Sequence, residues 1–209
     1  PVSREQSPKQ LQKLIGPGTM IQNTVQRLLP LISIENLYVS THQHQAFETL
    51  RQLDSFGFSP DHLLAEPCSK NTALAIGLMA IFLAEKNADA IMTIFPADHI
   101  VSKSENFIKV IQKARALAQN DFIVTLGIPP SSPETGFGYL KQGSGLENFE
   151  DTYRVERFEE KPSSSKARNF LEQGVYFWNC GIFIWKATTI LEELKQHVPD
   201  IHSQLEILK

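Results

Sequence analysis

The sequence predicts an α/β fold: a mixed, mostly parallel sheet with helices on both faces. Three observations carry this. Short apolar segments alternate strictly with amphipathic ones through the first 127 residues, the rhythm of βαβ units with right-handed crossovers. One segment, Ile-Met-Thr-Ile-Phe over 91–95, is apolar, rich in branched side chains and bounded by charge and proline, as suits a strand buried on both faces. From Pro129 the rhythm changes, and strands follow one another without an intervening helix.

The elements follow in order. Residues 1–18 carry prolines at 1, 8 and 17 and glycines at 16 and 18, which makes an extended loop holding the fixed positive charges of Arg4 and Lys9. A solvated surface is the ordinary fate of such a basic pair. Ile21, Val25, Leu28 and Leu29 share one face of a helix over 20–29. Residues 37–39 form a strand. Thr41-His42-Gln43-His44 offers two imidazoles but no third ligand at useful spacing, so it reads as a loop. The next helix covers 44–56 and is closed by Gly57. A strand over 63–65 ends at Glu66-Pro67.

Residues 73–84 form a helix that is apolar on nearly every face, so it belongs beneath other elements. Asn71 is its natural N-cap. A helix start facing the carboxyl edge of a sheet is a ready site for a nucleotide's base or phosphates, and a capped core helix reads the same way.

Pro96 stops the 91–95 strand, since proline cannot donate to a ladder. Asp98 then falls just beyond a strand's carboxyl end, where open α/β sheets bind ligands. A carboxylate there either holds a divalent cation over a polyphosphate or caps a turn; the spacing suits both. A helix over 105–118 and a strand over 122–127 complete the alternation. The segment Pro-Pro-Ser-Ser-Pro-Glu-Thr-Gly-Phe-Gly-Tyr, 129–139, is a loop whose glycines, Gly136 and Gly138, let backbone approach a ligand. Strands over 139–142 and 153–159 and a helix over 165–173 come next. An aromatic strand over 176–185, interrupted by Asn-Cys-Gly, leads to a last helix over 188–197, ended by Pro199.

Composition excludes several classes. With 209 residues the chain suits one sizeable α/β domain. Its net charge of −3, with both signs mixed, gives no footprint for nucleic acid. No apolar run is long enough to span a bilayer and no secretory leader is visible, so the expectation is a cytoplasmic protein with no membrane partner. The two cysteines, Cys68 and Cys180, form neither a disulfide framework nor a metal spacing. No Gly-x-Gly-x-x-Gly stands between a strand and a helix, which argues against a dinucleotide-binding oxidoreductase.

Six segments in order resemble the bacterial mannose-1-phosphate guanylyltransferases (GDP-mannose pyrophosphorylases) of the sugar-nucleotidyltransferase superfamily. They are Pro-Val-Ser-Arg…Pro-Lys-Gln (1–10), Glu-Pro…Lys-Asn-Thr-Ala (66–73), Phe-Pro-Ala-Asp-His (95–99), Gly-Ile…Pro-Glu-Thr-Gly-Phe-Gly-Tyr (127–139), Phe-Glu-Glu-Lys-Pro (158–162) and Tyr-Phe-Trp-Asn-Cys-Gly-Ile-Phe (176–183). The resemblance implies the Rossmann-like nucleotide-diphospho-sugar transferase fold in one core domain over 1–209. Residues 1–127 would form its nucleotide-binding half and 128–209 its sugar-phosphate-binding half.

It also implies roles. Arg4 and Lys9 would wrap the triphosphate of GTP; Glu66, Asn71 and Thr72 would lie near the guanine; and Asp98 would bind Mg2+. Gly136, Tyr139, Glu160, Lys161 and Asn179 would line the sugar-phosphate pocket. The catalytic set would be Lys9, Asp98 and Lys161. The implied reaction is magnesium-assisted attack of mannose 1-phosphate on the α-phosphate of GTP, giving GDP-mannose and pyrophosphate for polysaccharide biosynthesis. Its partners would be small molecules, and a homo-oligomer is left open.

Two alternatives stand beside it: a relative with another nucleotide or sugar phosphate, and a non-catalytic sugar-nucleotide-binding module. Against the family pattern, Lys70, Leu74 and Cys180 replace arginine, proline and serine. The family's glycine-rich strand and loop, with its arginine, would precede Pro1, and a second metal-binding aspartate would follow Lys209. The chain therefore reads as a core excerpt, lacking the N-terminal strand and expected to show little activity alone.

Overall fold

The computed structural model of the chain describes residues 8–67 and 72–207. They divide into two compact units, Pro1–Met92 with Pro96–Ile123 and Trp185–Lys209, and Thr93–Phe95 with Val124–Ile184. The chain passes from the first unit to the second between Ile123 and Val124. The chain from Trp185 onward belongs to the first unit.

In the first unit, α1 (Met20–Leu28) begins at a capping box: Thr19 accepts from the Gln22 amide while the Gln22 side chain accepts from the Thr19 amide. Its buried face carries Ile21, Val25 and Leu28, as the spacing predicts. The first strand, β1 (Val39–His42), lies two residues later than expected at its start, so Thr41 and His42 belong to a strand and not to a loop. His42 then caps α2 (Gln43–Leu53), its Nδ1 accepting from the His44 amide at 3.2 Å, which gives the two histidines a structural task. A 3-10 turn and Gly57, at φ +73°, end that segment. Strand β2 (Leu63–Glu66) pairs in parallel with β1, His42 opposite Glu66.

The apolar helix α3 (Thr72–Lys86) is less covered than its sequence predicts. Only Gly77, Ala80 and Ile81 are fully buried, and Phe82 is partly exposed. The buried side packs against α6 (Ala187–His197) and α7 (Pro199–Glu206). Leu205 and Leu194 close over Gly77 so tightly that a Cβ there would overlap Leu205. Helix α7 is an addition to the sequence reading: Pro199 ends α6, as expected, but also opens a new helix, since proline's missing N–H costs nothing in a first turn. Helix α4 (Ser104–Ala118) buries Ile111, Ala114, Leu117 and Ala118, the spacing of one helical face.

The second unit is built on a five-stranded sheet in the order β3-β7-β5-β6, with β4 also pairing β7. Its strands are β3 (Ile91–Ile94), β4 (Val124–Ile128), β5 (Tyr139–Gly145), β6 (Tyr153–Glu159) and β7 (Tyr176–Lys186). The pairs β4–β7, β5–β6 and β5–β7 are antiparallel, so the fold is mixed α/β, and parallel pairing is established for β1–β2. Strand β3 is only half-buried apart from Met92. The expected interruption at Asn-Cys-Gly is instead a bulge inside one continuous strand: the β4–β7 register shifts between Thr125↔Phe183 and Gly127↔Asn179, and Gly181 takes φ +72°. Helix α5 (Ser164–Gln173) sets Ala167 and Phe170 on a cluster with Tyr139 and Tyr176; the Phe170 and Tyr176 rings stack at 4.0 Å. Among the described residues no helix is long and apolar enough to cross a membrane.

Candidate active site

Two groups of chemistry-bearing side chains emerge, one in each unit. The first begins at a 3-10 turn, Lys9–Leu11. A buried amide holds that turn. Gln52, on α2, donates from Nε2 to the Leu11 carbonyl at 3.0 Å and to Glu48 Oε1 at 2.7 Å, while its Oε1 accepts from the Thr19 hydroxyl at 2.6 Å. The Gln22 side chain in turn donates to the Gln52 carbonyl at 2.8 Å. Every polar atom of Gln52 thus has a partner, as burial requires. Glu48 completes the network with Arg51, whose two hydrogen bonds, with that of Gln52, hold its carboxyl at about 2, far below the usual range.

This turn presents Lys9, half-exposed, to Asp98, whose side chain is about one-fifth exposed (22%); the ammonium and the carboxylate form a direct ion pair. Asp98 follows Pro96 beyond the carboxyl end of β3, as the sequence predicts. Arg27, from α1, braces the same loop: Nη1 donates to the His99 carbonyl at 3.3 Å, Nη2 to Thr24 at 3.2 Å, and the guanidinium lies 5.5 Å from the Phe107 ring centroid. Burial lowers the pKa of Arg27 and, more than the neighbouring Asp98 can offset, that of His99, keeping the imidazole neutral.

Elsewhere in this unit Glu66, at the carboxyl end of β2, accepts from Ser40 of β1 at 2.6 Å, and Thr72 opens α3. Arg4, Cys68 and Asn71 lie outside the described residues. Among those described, no three His, Cys, Asp or Glu side chains gather as a metal cage. A lone carboxylate fits Mg2+, which is commonly held by one or two carboxylates together with substrate phosphates and not by an all-protein cage.

The second group follows from strand register. In β5, Tyr139 lies opposite Glu159 of β6 on one side and Trp178 of β7 on the other. The residue before Tyr139 is therefore flanked by the residues after those two: Gly138 sits between Glu160 and Asn179. The Asn179 amide donates to the Gly138 carbonyl at 2.7 Å. A Cβ on Gly138 would stand 2.9 Å from Glu160 Oε2 and 2.8 Å from the Phe158 ring, so any larger residue would push the ends of both side chains aside. Glu160 Oε1 pairs with Lys161 Nζ at 3.3 Å, and Lys161 itself takes φ +43°. Gly136, by contrast, meets no atom where its side chain would be.

Tyr139, expected to line the pocket, packs in the core cluster with Ala167, Phe170 and Tyr176. It is fully buried, and its hydroxyl donates to the Glu134 carbonyl at 2.9 Å, pinning the loop that carries Gly136. Cys180 is a free thiol whose pKa burial pushes up, so it stays protonated and unreactive at neutral pH. The sequence reading missed Arg27, Gln52 and Thr125, whose hydroxyl stands 3.1 Å from Asn179 Oδ1. The last had one visible signal, as the single hydroxyl in the apolar run 122–127.

The chain is an α/β protein with one lysine–carboxylate pair beyond a strand end and another beside a glycine. The family profile described as nucleotidyl transferase matches residues 1–208, and the chain belongs to that family. Over 99% of the chain it is 37% identical to a mannose-1-phosphate guanylyltransferase of Salmonella muenchen, covering 43% of that relative. It is also 37% identical to the alginate biosynthesis protein AlgA of Pseudomonas syringae over 97% of the chain and 42% of the relative. The chain thus spans about two-fifths of the length of these relatives. Among solved structures, one described as mannose-1-phosphate geranyltransferase from Thermus thermophilus superposes with TM-score 0.88 at 33% identity, over all of this chain and 59% of that one. Another, described as mannose-6-phosphate isomerase from Helicobacter pylori, gives TM-score 0.85 at 31% identity, over 97% of this chain and 75% of that one.

Proposed function

We propose that this chain is the catalytic core of a mannose-1-phosphate guanylyltransferase, joining GTP and mannose 1-phosphate to give GDP-mannose and pyrophosphate. The observation that carries the reading is the Lys9–Asp98 ion pair beyond the carboxyl end of β3, an arrangement of opposite charges suited to a metal-bound triphosphate. The name of the Salmonella relative supports the sugar and the nucleotide.

The nucleophile needs no general base. A phosphate monoester has a second pKa near ~6 and is already largely dianionic at neutral pH. The chemistry requires alignment of two polyanions and relief of their repulsion. In this reading Lys9 takes the triphosphate, and Glu66 and Thr72 lie along the guanine, with Arg4 and Asn71 assigned by resemblance alone. Lys161 takes the phosphate of the sugar, and Glu160 and Asn179 bind its hydroxyls. The openness at Gly136 leaves room for the ligand. Asp98 would hold Mg2+, which supplies charge neutralisation on the phosphates when bound. Residues 1–123 and 124–184 would then serve nucleotide and sugar phosphate respectively. A reaction that consumes GTP belongs in the cytoplasm, where that nucleotide is held.

The test is a substrate matrix on the intact protein, GTP, ATP, UTP and dTTP against several hexose 1-phosphates, with Asp98→Asn beside it. The expected result is GDP-mannose and pyrophosphate in equal amounts, with Asp98→Asn losing on the order of 100- to 1,000-fold in turnover at unchanged thermal midpoint. Preference for another pair of substrates, or full turnover by the variant, overturns it.

A further inference from the structure

The amide of Asn179 is held in one orientation, and the orientation decides what it can recognise. Its Oδ1 accepts from the Gly181 amide at 3.2 Å. A backbone N–H can only donate, so the atom facing it is the oxygen and the amide is not open to flipping. The bulge at Asn179–Gly181, with Gly181 at φ +72°, is what turns that N–H back toward the side chain. Thr125 Oγ1 stands 3.1 Å from the same Oδ1 and 3.0 Å from the Ile182 carbonyl. Both neighbours are acceptors, so the one hydroxyl proton is shared between them, and the hydroxyl closes the oxygen side of the amide. The two N–H groups of Nδ2 have no acceptor among the described residues. The Asn179 backbone is fixed by its bond to the Gly138 carbonyl, on the row that also carries Glu160.

We propose that Thr125 is a positioning residue that, with the Gly181 amide, makes Asn179 a hydrogen-bond donor toward an acceptor oxygen of the sugar phosphate. This rests on the substrate reading above and deepens it. The Asn179 amide recognises oxygen lone pairs, and Thr125 acts on substrate only through it.

The test measures KM for mannose 1-phosphate and for GTP separately, with kcat, in Thr125→Val, Thr125→Ser, Asn179→Asp and the Thr125→Val/Asn179→Asp pair. Losing the hydroxyl is expected to raise KM for mannose 1-phosphate about tenfold, leaving KM for GTP within about twofold. Thr125→Ser restores the hydroxyl and the KM. Asn179→Asp replaces the donors with an anion and raises the same KM about 100-fold, and Thr125→Val then adds nothing to it, the mark of residues acting as a unit. A large effect of Asn179→Asp with a silent Thr125→Val overturns the inference alone. An Asn179→Asp variant with unchanged KM overturns both the inference and the sugar-phosphate assignment. Equal rises for both substrates, or a loss that Thr125→Ser fails to rescue, mark a merely structural Thr125.

Discussion

Lys9 and Asp98 neutralise each other directly: the ammonium carried by the first 3-10 turn is the counter-ion of the carboxylate that follows β3. A divalent cation arriving at Asp98 must share or displace that lysine, so the two positive groups compete in the absence of a polyanion. Lys9→Met is therefore expected to tighten Mn2+ binding to the nucleotide-free protein about fivefold, read by electron paramagnetic resonance, a discounted value for a pair this exposed. The same variant should lose on the order of 100-fold in turnover, because the triphosphate then lacks its fixed charge. Weaker metal binding in Lys9→Met would contradict this.

Glu48 gives the fold an acid-sensitive brace for the Lys9 turn. Its carboxyl is held at about 2, against an ordinary 4.5, by its hydrogen bonds to Arg51 and Gln52. A carboxylate with a depressed pKa stabilises the fold fully above its unfolded value and loses that contribution as pH falls through its folded value. Glu48→Gln should thus melt below the parent protein at pH 7. The difference in thermal midpoint should begin to shrink below about pH 4.5 and vanish near pH 2. A difference independent of pH would show that the charge is not what matters.

Lys161 pays for its place with a left-handed backbone, φ +43°, a conformation costing an L-residue about 1 kcal/mol. Lys161→Gly should hold or slightly raise the thermal midpoint while turnover with mannose 1-phosphate falls at least about 100-fold. Lys161→Val, branched at Cβ, should lose both stability and turnover. Retained turnover in Lys161→Gly would remove the lysine from the sugar-phosphate site.

Two glycines should respond oppositely to one methyl group. Gly77 lies under Leu205 and Leu194, and Gly77→Ala should destabilise by about 1–3 kcal/mol in urea unfolding, as overpacking does. Gly136 faces open space in an ordinary conformation, so Gly136→Ala should leave the unfolding midpoint unchanged and raise KM for mannose 1-phosphate. A stability loss at Gly136 would mean that the protein itself requires the glycine there.

Most elements were legible because their signals are local. The spacing of Ile21, Val25 and Leu28 gives α1, Gly57 marks the end of the second helical segment, and Pro96 stops β3. Asp98 stood out for the same reason, being next to that stop. What the sequence hides is register. That Gly138 lies between Glu160 and Asn179 depends on two antiparallel pairings with β5, which no local pattern encodes. The apolar character of Tyr139 also could not say which way its hydroxyl points, and a loop carbonyl claims it. The Gln52 network escaped notice because a glutamine on α2 looks like any solvated residue until a distant turn closes over it. Parallel pairing, expected from the alternating first half, is established for β1–β2, whereas the antiparallel pairs join β4, β5, β6 and β7.

The first unit is discontinuous along the chain, and α3 meets α6 and α7 only after Trp185. On the ribosome, Leu74, Leu78 and Ile81 therefore wait uncovered while more than a hundred residues are added, including all of β4 to β7. Residues 124–184 can condense as they emerge, whereas the earlier-made helix stays sticky until α6 and α7 arrive. Nascent-chain aggregation, and dependence on a chaperone that shields greasy helices, should consequently persist from the emergence of α3 until that of α7.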